Sequence, residues 1–189
     1  MSSMSFAPVT VHLSDGRRCT LRAAAEGDDA GLYALEQAIV RARDGVVKYP
    51  DELPPDLAAY AEKRANSGAA FALVAAQDDG ELLGEASLVR LPFRMLHHVA
   101  VLGMGVHPRA QSRGLGRALL THLLAWARDH RDLDGGRVLR VELYTRADNH
   151  RALALYHALG FRLEGTRRAF VLRDDGALVD DHMMALLFA

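Results

Sequence analysis

The sequence predicts an α+β fold, a mixed and mostly antiparallel central sheet of about seven strands flanked by helices on both faces. Its composition, its turn chemistry and the order of its periodic segments carry that prediction. The chain has 189 residues, 50% of them hydrophobic and 25% charged, which matches one globular domain of ~100 to 200 residues. A chain of this size buries roughly 70% of the surface its unfolded form exposes, so neither a disulfide nor a structural metal is needed for stability.

Residues 1–8 are expected to be a disordered extension and residues 9–189 one domain. From Val9 to Arg22 two alternating runs flank Ser14-Asp15-Gly16, a hairpin signal. Glu26 to Arg43 places Leu32, Leu35, Ile39 and Val40 at helical spacing, with Asp28 and Asp29 where the helix dipole favours negative charge. Past Pro50 and Pro54-Pro55, Asp56 to Ala65 reads as a second helix that ends around Asn66 to Gly68. Phe71 to Ala76 and Leu82 to Leu91 are strand-like runs around Asp79-Gly80, and Val99 to Val106 is another strand, interrupted by Gly103 and Gly105. Glycines inside a strand mark a bulge or a close approach by a ligand.

Gly114 to His130 is amphipathic, with Leu115, Leu119, Leu120, Leu123, Leu124 and Ala127 facing inward. Val138 to Tyr144 is a strand, and Asn149 to Leu159 a helix closed by Gly160. Phe161 to Arg173 and Leu178 to Leu187 are strands around Asp175-Gly176.

Charge and cysteine content exclude several functions. With 23 basic and 24 acidic residues the net charge is −1, so no global attraction draws the chain to nucleic acid or anionic lipid. Interleaved aromatics for base stacking are absent from the basic pairs Arg17-Arg18 and Arg167-Arg168. Cys19, the single cysteine, forms no intramolecular bridge and favours a reducing compartment. The opening residues lack a secretory pattern, and no apolar run is long enough to span a bilayer, so a soluble, cytoplasmic protein is expected. No compact His and carboxylate spacing suggests a metal.

Local anion binding is a different matter. His107 to Arg117 leads from a strand into the long helix as His-Pro-Arg-Ala-Gln-Ser-Arg-Gly-Leu-Gly-Arg. A helix start offers unpaired amide N–H groups and the positive dipole end, glycine lets a phosphate approach the backbone, and Arg109, Arg113 and Arg117 supply charge. The absence of any Gly-Lys pair excludes a Walker loop. A dinucleotide fingerprint fails at its third glycine, which is Pro108 in one frame and Leu119 in the other.

Gln111-x-x-Gly114-x-Gly116, preceded by Val106-His107-Pro108, resembles the acyl-CoA pyrophosphate loop of the GNAT superfamily of N-acetyltransferases. Asn149-x-x-Ala152-x-x-x-Tyr156-x-x-x-Gly160-Phe161 is similar to that family's second motif, in which a helix touches the pantetheine arm and presents a tyrosine. The ending from Glu164-Gly165 through Asp180-Asp181-His182-Met183-Met184 is also similar to small-molecule members. The resemblance implies a GNAT-like fold in which the strand ending Met104-Gly105-Val106 splays from the strand ending Tyr144. Acetyl-CoA would enter that gap, held by Met104, Gly105, Val106, Gln111, Ser112, Arg113, Gly114, Leu115, Gly116, Arg117, Asn149 and Ala152. Gly103 and Gly105 fit a bulge that opens the gap, or are ordinary strand glycines.

Acetyl transfer to an amine needs oxyanion stabilisation, here from a main-chain N–H near Gly105, and a proton donor to the thiolate. Asn149, Ala152 and Tyr156 share a helix face, and Tyr156 is either that donor or a core aromatic. The general base is open. Some members carry a glutamate where this chain has Ala100; His98, on the same strand face, is the first candidate, with Glu36 and Glu85 as alternatives. Glu36, Tyr49, Tyr60 and Phe93 are expected near the acceptor. The expected reaction is acetylation of a primary amine on a small molecule, an amino acid or an amine-bearing antibiotic. Acetylation of a protein N-terminus or lysine, and non-catalytic acyl-CoA sensing, are the alternatives. No nucleic acid, membrane or metal partner is expected, and a homodimer fits the family.

Overall fold

The computed structural model describes residues 6–67, 69–132 and 135–188. The N-terminal hairpin is β1 (Val9–His12) and β2 (Arg18–Ala23), followed by helices α1 (Asp29–Ala42) and α2 (Leu57–Ala65). Strands β3 (Ala69–Ala76), β4 (Leu82–Arg90) and β5 (Val99–Val106) form a meander, and α3 (Leu115–Asp129) leads to β6 (Arg140–Arg146). Helix α4 (His150–Ala158) precedes the closing hairpin β7 (Arg162–Leu172) and β8 (Leu178–Leu187).

One sheet of eight strands, rather than about seven, runs β1-β2-β3-β4-β5-β6-β8-β7. Every pairing is antiparallel except β5 with β6. The three Asp-Gly turns close their hairpins with Gly16, Gly80 and Gly176 at φ of 86°, 87° and 80°, which only glycine adopts without strain.

Helices cover both faces because the strands alternate. Leu73, Ala75 and Leu83 join the core under α3, where Leu115, Leu119, Leu120, Leu123, Leu124 and Ala127 are all buried. Val74, Ala76 and Leu82 turn the other way and meet Leu32 of α1 and Tyr60 of α2. Each fully buried leucine contributes about 1.5–3 kcal/mol, so the α3 face anchors the fold. Cys19 is fully buried.

At the N-terminus, residues 1–5 of the expected extension lie outside the described residues. Phe6 lies inside that stretch yet packs against Phe71 and His122, with ring centroids 6.5 and 6.1 Å away. Gly68, placed by the sequence at the end of the second helix, also lies outside the described residues.

Candidate acyl-CoA and amine site

The site begins where two neighbouring strands part. β5 and β6 are in register only from Val99↔Arg140 to Val101↔Glu142. Beyond that point β5 stays paired with β4 as far as Val106, and β6 stays paired with β8 as far as Arg146. Each strand is held on its outer edge while the inner edges separate. The β4–β5 register runs unbroken from Gly84↔Val106 to Arg90↔Ala100, so Gly103 and Gly105 form no bulge there.

Alternation decides which main-chain groups face the gap. His107 donates to the Leu83 carbonyl and Leu91 to the Val99 carbonyl, so odd-numbered β5 residues bond to β4. Gly105 is thereby a hydrogen-bonded partner of Glu85, and its own N–H is engaged. The N–H and C=O groups of Met104 and Val106 turn toward the gap instead. The Gly105 N–H expected as an oxyanion donor is thus turned to β4, and an amide aimed into the gap comes from Met104 or Val106 instead. Gln111 Nε2 donates to the Val106 carbonyl at 3.2 Å, tying the loop to the end of the strand.

At one end of the gap lies the start of α3. Gly114 caps it at φ 89°, with nothing within 4 Å of where a Cβ would stand, and Ser112 is also left-handed at φ 57°. The first helical bond is Ala118 N to Gly114 O, which leaves the amides of Leu115, Gly116 and Arg117 without a helical acceptor. Leu115 therefore offers only its backbone, since its side chain is wholly buried. Gly116 allows close packing: a Cβ there would stand 3.2 Å from Met104 Cε.

The arginines of this loop divide. Arg109 is ion-paired with Glu81, and Arg113 lies 3.1 Å from Asp15 and 3.2 Å from the Arg109 carbonyl. Arg117 lines the cavity, and its guanidinium makes no ion pair or hydrogen bond within the described residues. These groups set one unneutralised cation beside amides without helical acceptors and an open glycine, an arrangement that can bind an anion.

Helix α4 supplies the opposite wall. Asn149 Oδ1 accepts from Ala152 N at 3.2 Å as the helix cap, leaving Nδ2 as its donor. Asn149, Ala152 and Tyr156 all line the cavity, as their shared face predicted. Tyr156 is buried against Phe161, at a centroid distance of 5.8 Å, and its hydroxyl has no partner within the described residues. Burial pushes its pKa up to about 12, so the phenol keeps its proton at neutral pH. The segment after α1 straps over this wall: Asp44 pairs with Arg151 at 2.8 Å, and the Val46 carbonyl accepts from Arg146 at 3.1 Å.

The remaining end of the cavity, whose volume is about 990 Å³, is ringed by charge. Glu36 of α1 is ion-paired with Lys48. Glu85, Ser87 and Val89 of β4 all line the cavity, and Glu85 is 3.5 Å from Arg64, which binds Asp29 more closely at 2.8 Å. Burial raises the Glu85 carboxyl above the usual range, with Arg64 opposing and Glu36 adding to the shift. Burial likewise raises the Tyr60 phenol. Across the gap Arg167 binds the buried Asp181 at 3.0 Å and stacks between Phe170 and Tyr144. Composition and spacing do not single out Lys48, Arg64, Arg167, Phe170 or Asp181 as site residues, because strand register and helix packing bring them here from distant segments.

Three expected residues lie elsewhere. His98 is exposed at the closed end of β5, where its carbonyl accepts from Leu139 and Arg140. At ~3.3 Å per residue it sits roughly 20 Å along the strand from Gly105, too far to serve the gap. Tyr49 is held outside the cavity by a hydrogen bond to Asp174 and by Arg43, 3.9 Å over its ring. Phe93 is 70% exposed beside the short helical turn Arg94–Leu96. Among the described residues no group of three or more His, Cys, Asp or Glu could hold a metal, and no helix is long and apolar enough to cross a membrane.

Known proteins resemble this chain in sequence and in fold. The chain is similar to the N-alpha-acetyltransferase RimI of Mycobacterium tuberculosis, with 40% identity over 97 residues, 51% of this chain and 56% of that one. It is 31% identical to the L-amino acid N-acetyltransferase AaaT of Escherichia coli over 107 residues, 57% of this chain and 62% of the relative. The matches thus span little more than half the length of these curated relatives. Among solved structures, a GNAT-family acetyltransferase from Streptococcus pneumoniae superposes with a TM-score of 0.76 at 22% identity, covering 89% of this chain and 98% of that one. A ribosomal-protein-alanine N-acetyltransferase from Brucella melitensis gives 0.70 at 27% identity, covering 89% and 99%. The model of the acetyltransferase (GNAT) family matches residues 32–161, a span that runs from α1 through the parted strands and the glycine loop to Phe161, and the chain belongs to that family.

Proposed function

We propose that this protein transfers an acetyl group from acetyl-CoA to a primary amine of a small molecule, an amino acid or an amine-bearing antibiotic. The observation that carries the reading is the gap itself: main-chain groups of Met104 and Val106 face it, and it ends on the unpaired amides of α3 beside Arg117. The donor supplies a thioester, which this chain would hold at both ends. Met104 and Val106 would pair with the pantetheine amides as an added strand edge would, and Asn149 Nδ2 would give a further donor. Gln111, Ser112, Gly114, Gly116 and Arg117 would surround the pyrophosphate.

The chemistry follows from these placements. An amide of Met104 or Val106, fixed in direction by the strand, stabilises negative charge on the carbonyl oxygen and is worth a few kcal/mol. Tyr156 holds the proton that the departing sulfur requires, and its hydroxyl is free to give it.

The acceptor class rests on the charged chamber around Glu36, Glu85 and Arg64, which suits a compact amine. The AaaT relative acts on L-amino acids, whereas RimI is an N-alpha-acetyltransferase, so the second reading is a protein N-terminus. The buried, single Cys19 supports a cytoplasmic setting. The reading includes a homodimer, and a monomer in sedimentation would overturn that part of it. Thiol release from acetyl-CoA is measured against a panel of amino acids, aminoglycosides and N-terminal peptides. Turnover with small amines above that with peptides is expected; the reverse order overturns the substrate class. Acetyl-CoA at about 100-fold its Kd stabilises the fold by roughly 2.7 kcal/mol, and tight binding without any turnover leaves an acyl-CoA sensor.

A further inference from the structure

We infer that Glu85 is the proton acceptor for the incoming amine, an inference that rests on the amine acetylation proposed above. An alkylammonium titrates near 10.4, so at neutral pH the acceptor must lose a proton before its nitrogen can attack. Ala100 offers no proton acceptor on β5, and His98 is out of reach.

The register of the sheet places a carboxylate at the point of need. Glu85 and Gly105 are directly opposed on β4 and β5, so their side-chain positions share the cavity face, and the flanking main-chain groups of Met104 and Val106 open on the gap. Gly105 and Gly103, opposite Glu85 and Ser87, leave no side chain on β5 between that carboxylate and the gap.

Of the carboxylates around the chamber, Glu85 is the least engaged. Glu36 is paired with Lys48, Asp29 with Arg64 and Asp181 with Arg167. Glu85 has only the 3.5 Å contact with Arg64. The groups that face it are Arg64 and Tyr60 from α2 and Glu36 from α1, with Lys48 and Asp29 one pair further away. Burial and Glu36 together disfavour its charge more than Arg64 favours it. A carboxylate made more basic in this way takes a proton more readily while remaining a weaker base than the amine.

The protons balance. Glu85 takes one from the ammonium, freeing the nitrogen lone pair, and passes it to solvent. The carbon–nitrogen bond forms and the carbon–sulfur bond breaks, with the Tyr156 proton going to sulfur. The second proton leaves the nitrogen as the amide forms and returns through water to the Tyr156 oxygen.

The test uses the full chain and the alkylamine that releases thiol fastest from acetyl-CoA, together with its β,β,β-trifluorinated analogue, whose three fluorines withdraw enough charge to leave it mostly neutral at pH 7. Glu85→Gln is expected to lower kcat/KM for the alkylamine at pH 7 by about 10² to 10⁴ and to shift the acidic limb of its pH profile up toward the amine's own titration near 10.4. The fluorinated amine should react with wild type and variant at rates within a few-fold. Acetyl-CoA affinity, measured by calorimetry, should be unchanged, which shows the fold intact. Glu85→Asp, retaining the charge at a shorter reach, should keep the limb with an intermediate rate. An active wild type whose rate and acidic limb survive Glu85→Gln overturns the base alone. A wild type that acetylates no amine overturns the proposed function and the base with it. Carbon NMR of the carboxyl groups, compared between wild type and Glu85→Gln, gives a reading independent of activity: a Glu85 resonance titrating at or below the ordinary glutamate range overturns the inference.

Discussion

Replacing Gly105 by alanine tests whether the floor of the cleft is as tight as its packing implies. A Cβ at Gly105 would stand 2.7 Å from Ile39 Cδ1, the tip of an α1 side chain that lines the same cavity. Carbon atoms rest about 3.5–4.0 Å apart, so the two must separate by roughly 1 Å. Overpacking of this kind costs about 1–3 kcal/mol, while removing a glycine from a strand returns about 0.5–1 kcal/mol. The expected net loss is near 1 kcal/mol, a fall of about 2–4 °C in Tm for a chain of this size. Acetyl-CoA affinity should fall as well, because Ile39 is displaced toward the cleft. The Ile39→Val substitution deletes the clashing atom and, at a half-buried site, costs no more than about 0.5–1.5 kcal/mol. In that background Gly105→Ala should be neutral or slightly stabilising, with acetyl-CoA affinity recovered. Denaturant unfolding and calorimetry of the single and double variants complete the cycle. Additivity within about 0.5 kcal/mol would refute the packing argument.

Other expectations follow from the same geometry. Arg117→Gln removes the unpaired cation of the loop and should weaken acetyl-CoA binding by about 1.5–3 kcal/mol, or roughly 10- to 150-fold, in calorimetry, with a shallower salt dependence. Arg113→Gln, which loses exposed contacts with Asp15 and the Arg109 carbonyl, should change affinity much less. Tyr156→Phe should cut turnover by about 10² to 10⁴ while preserving acetyl-CoA affinity, and retention of full chemical rate would return Tyr156 to a packing role. Because burial raises that phenol to about 12, its stabilising contribution is full below the unfolded value near pH 10 and is lost as pH rises through about 12. Alkaline unfolding in that window should therefore be shallower in Tyr156→Phe. Gly45→Ala combines a φ of 74° with a Cβ 2.5 Å from Asn149 Nδ2, so it should destabilise by about 1–2 kcal/mol and weaken acetyl-CoA binding together, read by thermal unfolding and calorimetry.

Periodicity and turn chemistry made the sequence legible wherever structure is local. The Asp-Gly hairpins, the buried leucine face of α3 and the order of all the strands and helices were readable because each is decided within a few residues. The glycine loop and the Asn149, Ala152 and Tyr156 face were readable for the same reason: helix starts and helix faces are short-range geometry. What the sequence could not decide is which side chains meet across strands. His98 and Glu85 looked alike as candidates until the β4–β5 register put Glu85 opposite Gly105 and left His98 at the closed end. Arg109, Arg113 and Arg117 looked equivalent until Glu81 and Asp15, both remote in sequence, engaged the first two. Tyr49 and Phe93 looked like pocket residues until Asp174 drew one away and solvent took the other. Local backbone preference is written into neighbouring residues, whereas register, ion pairing and burial are settled only when segments far apart in the chain pack together, and that packing fixes which charges at the cleft remain free.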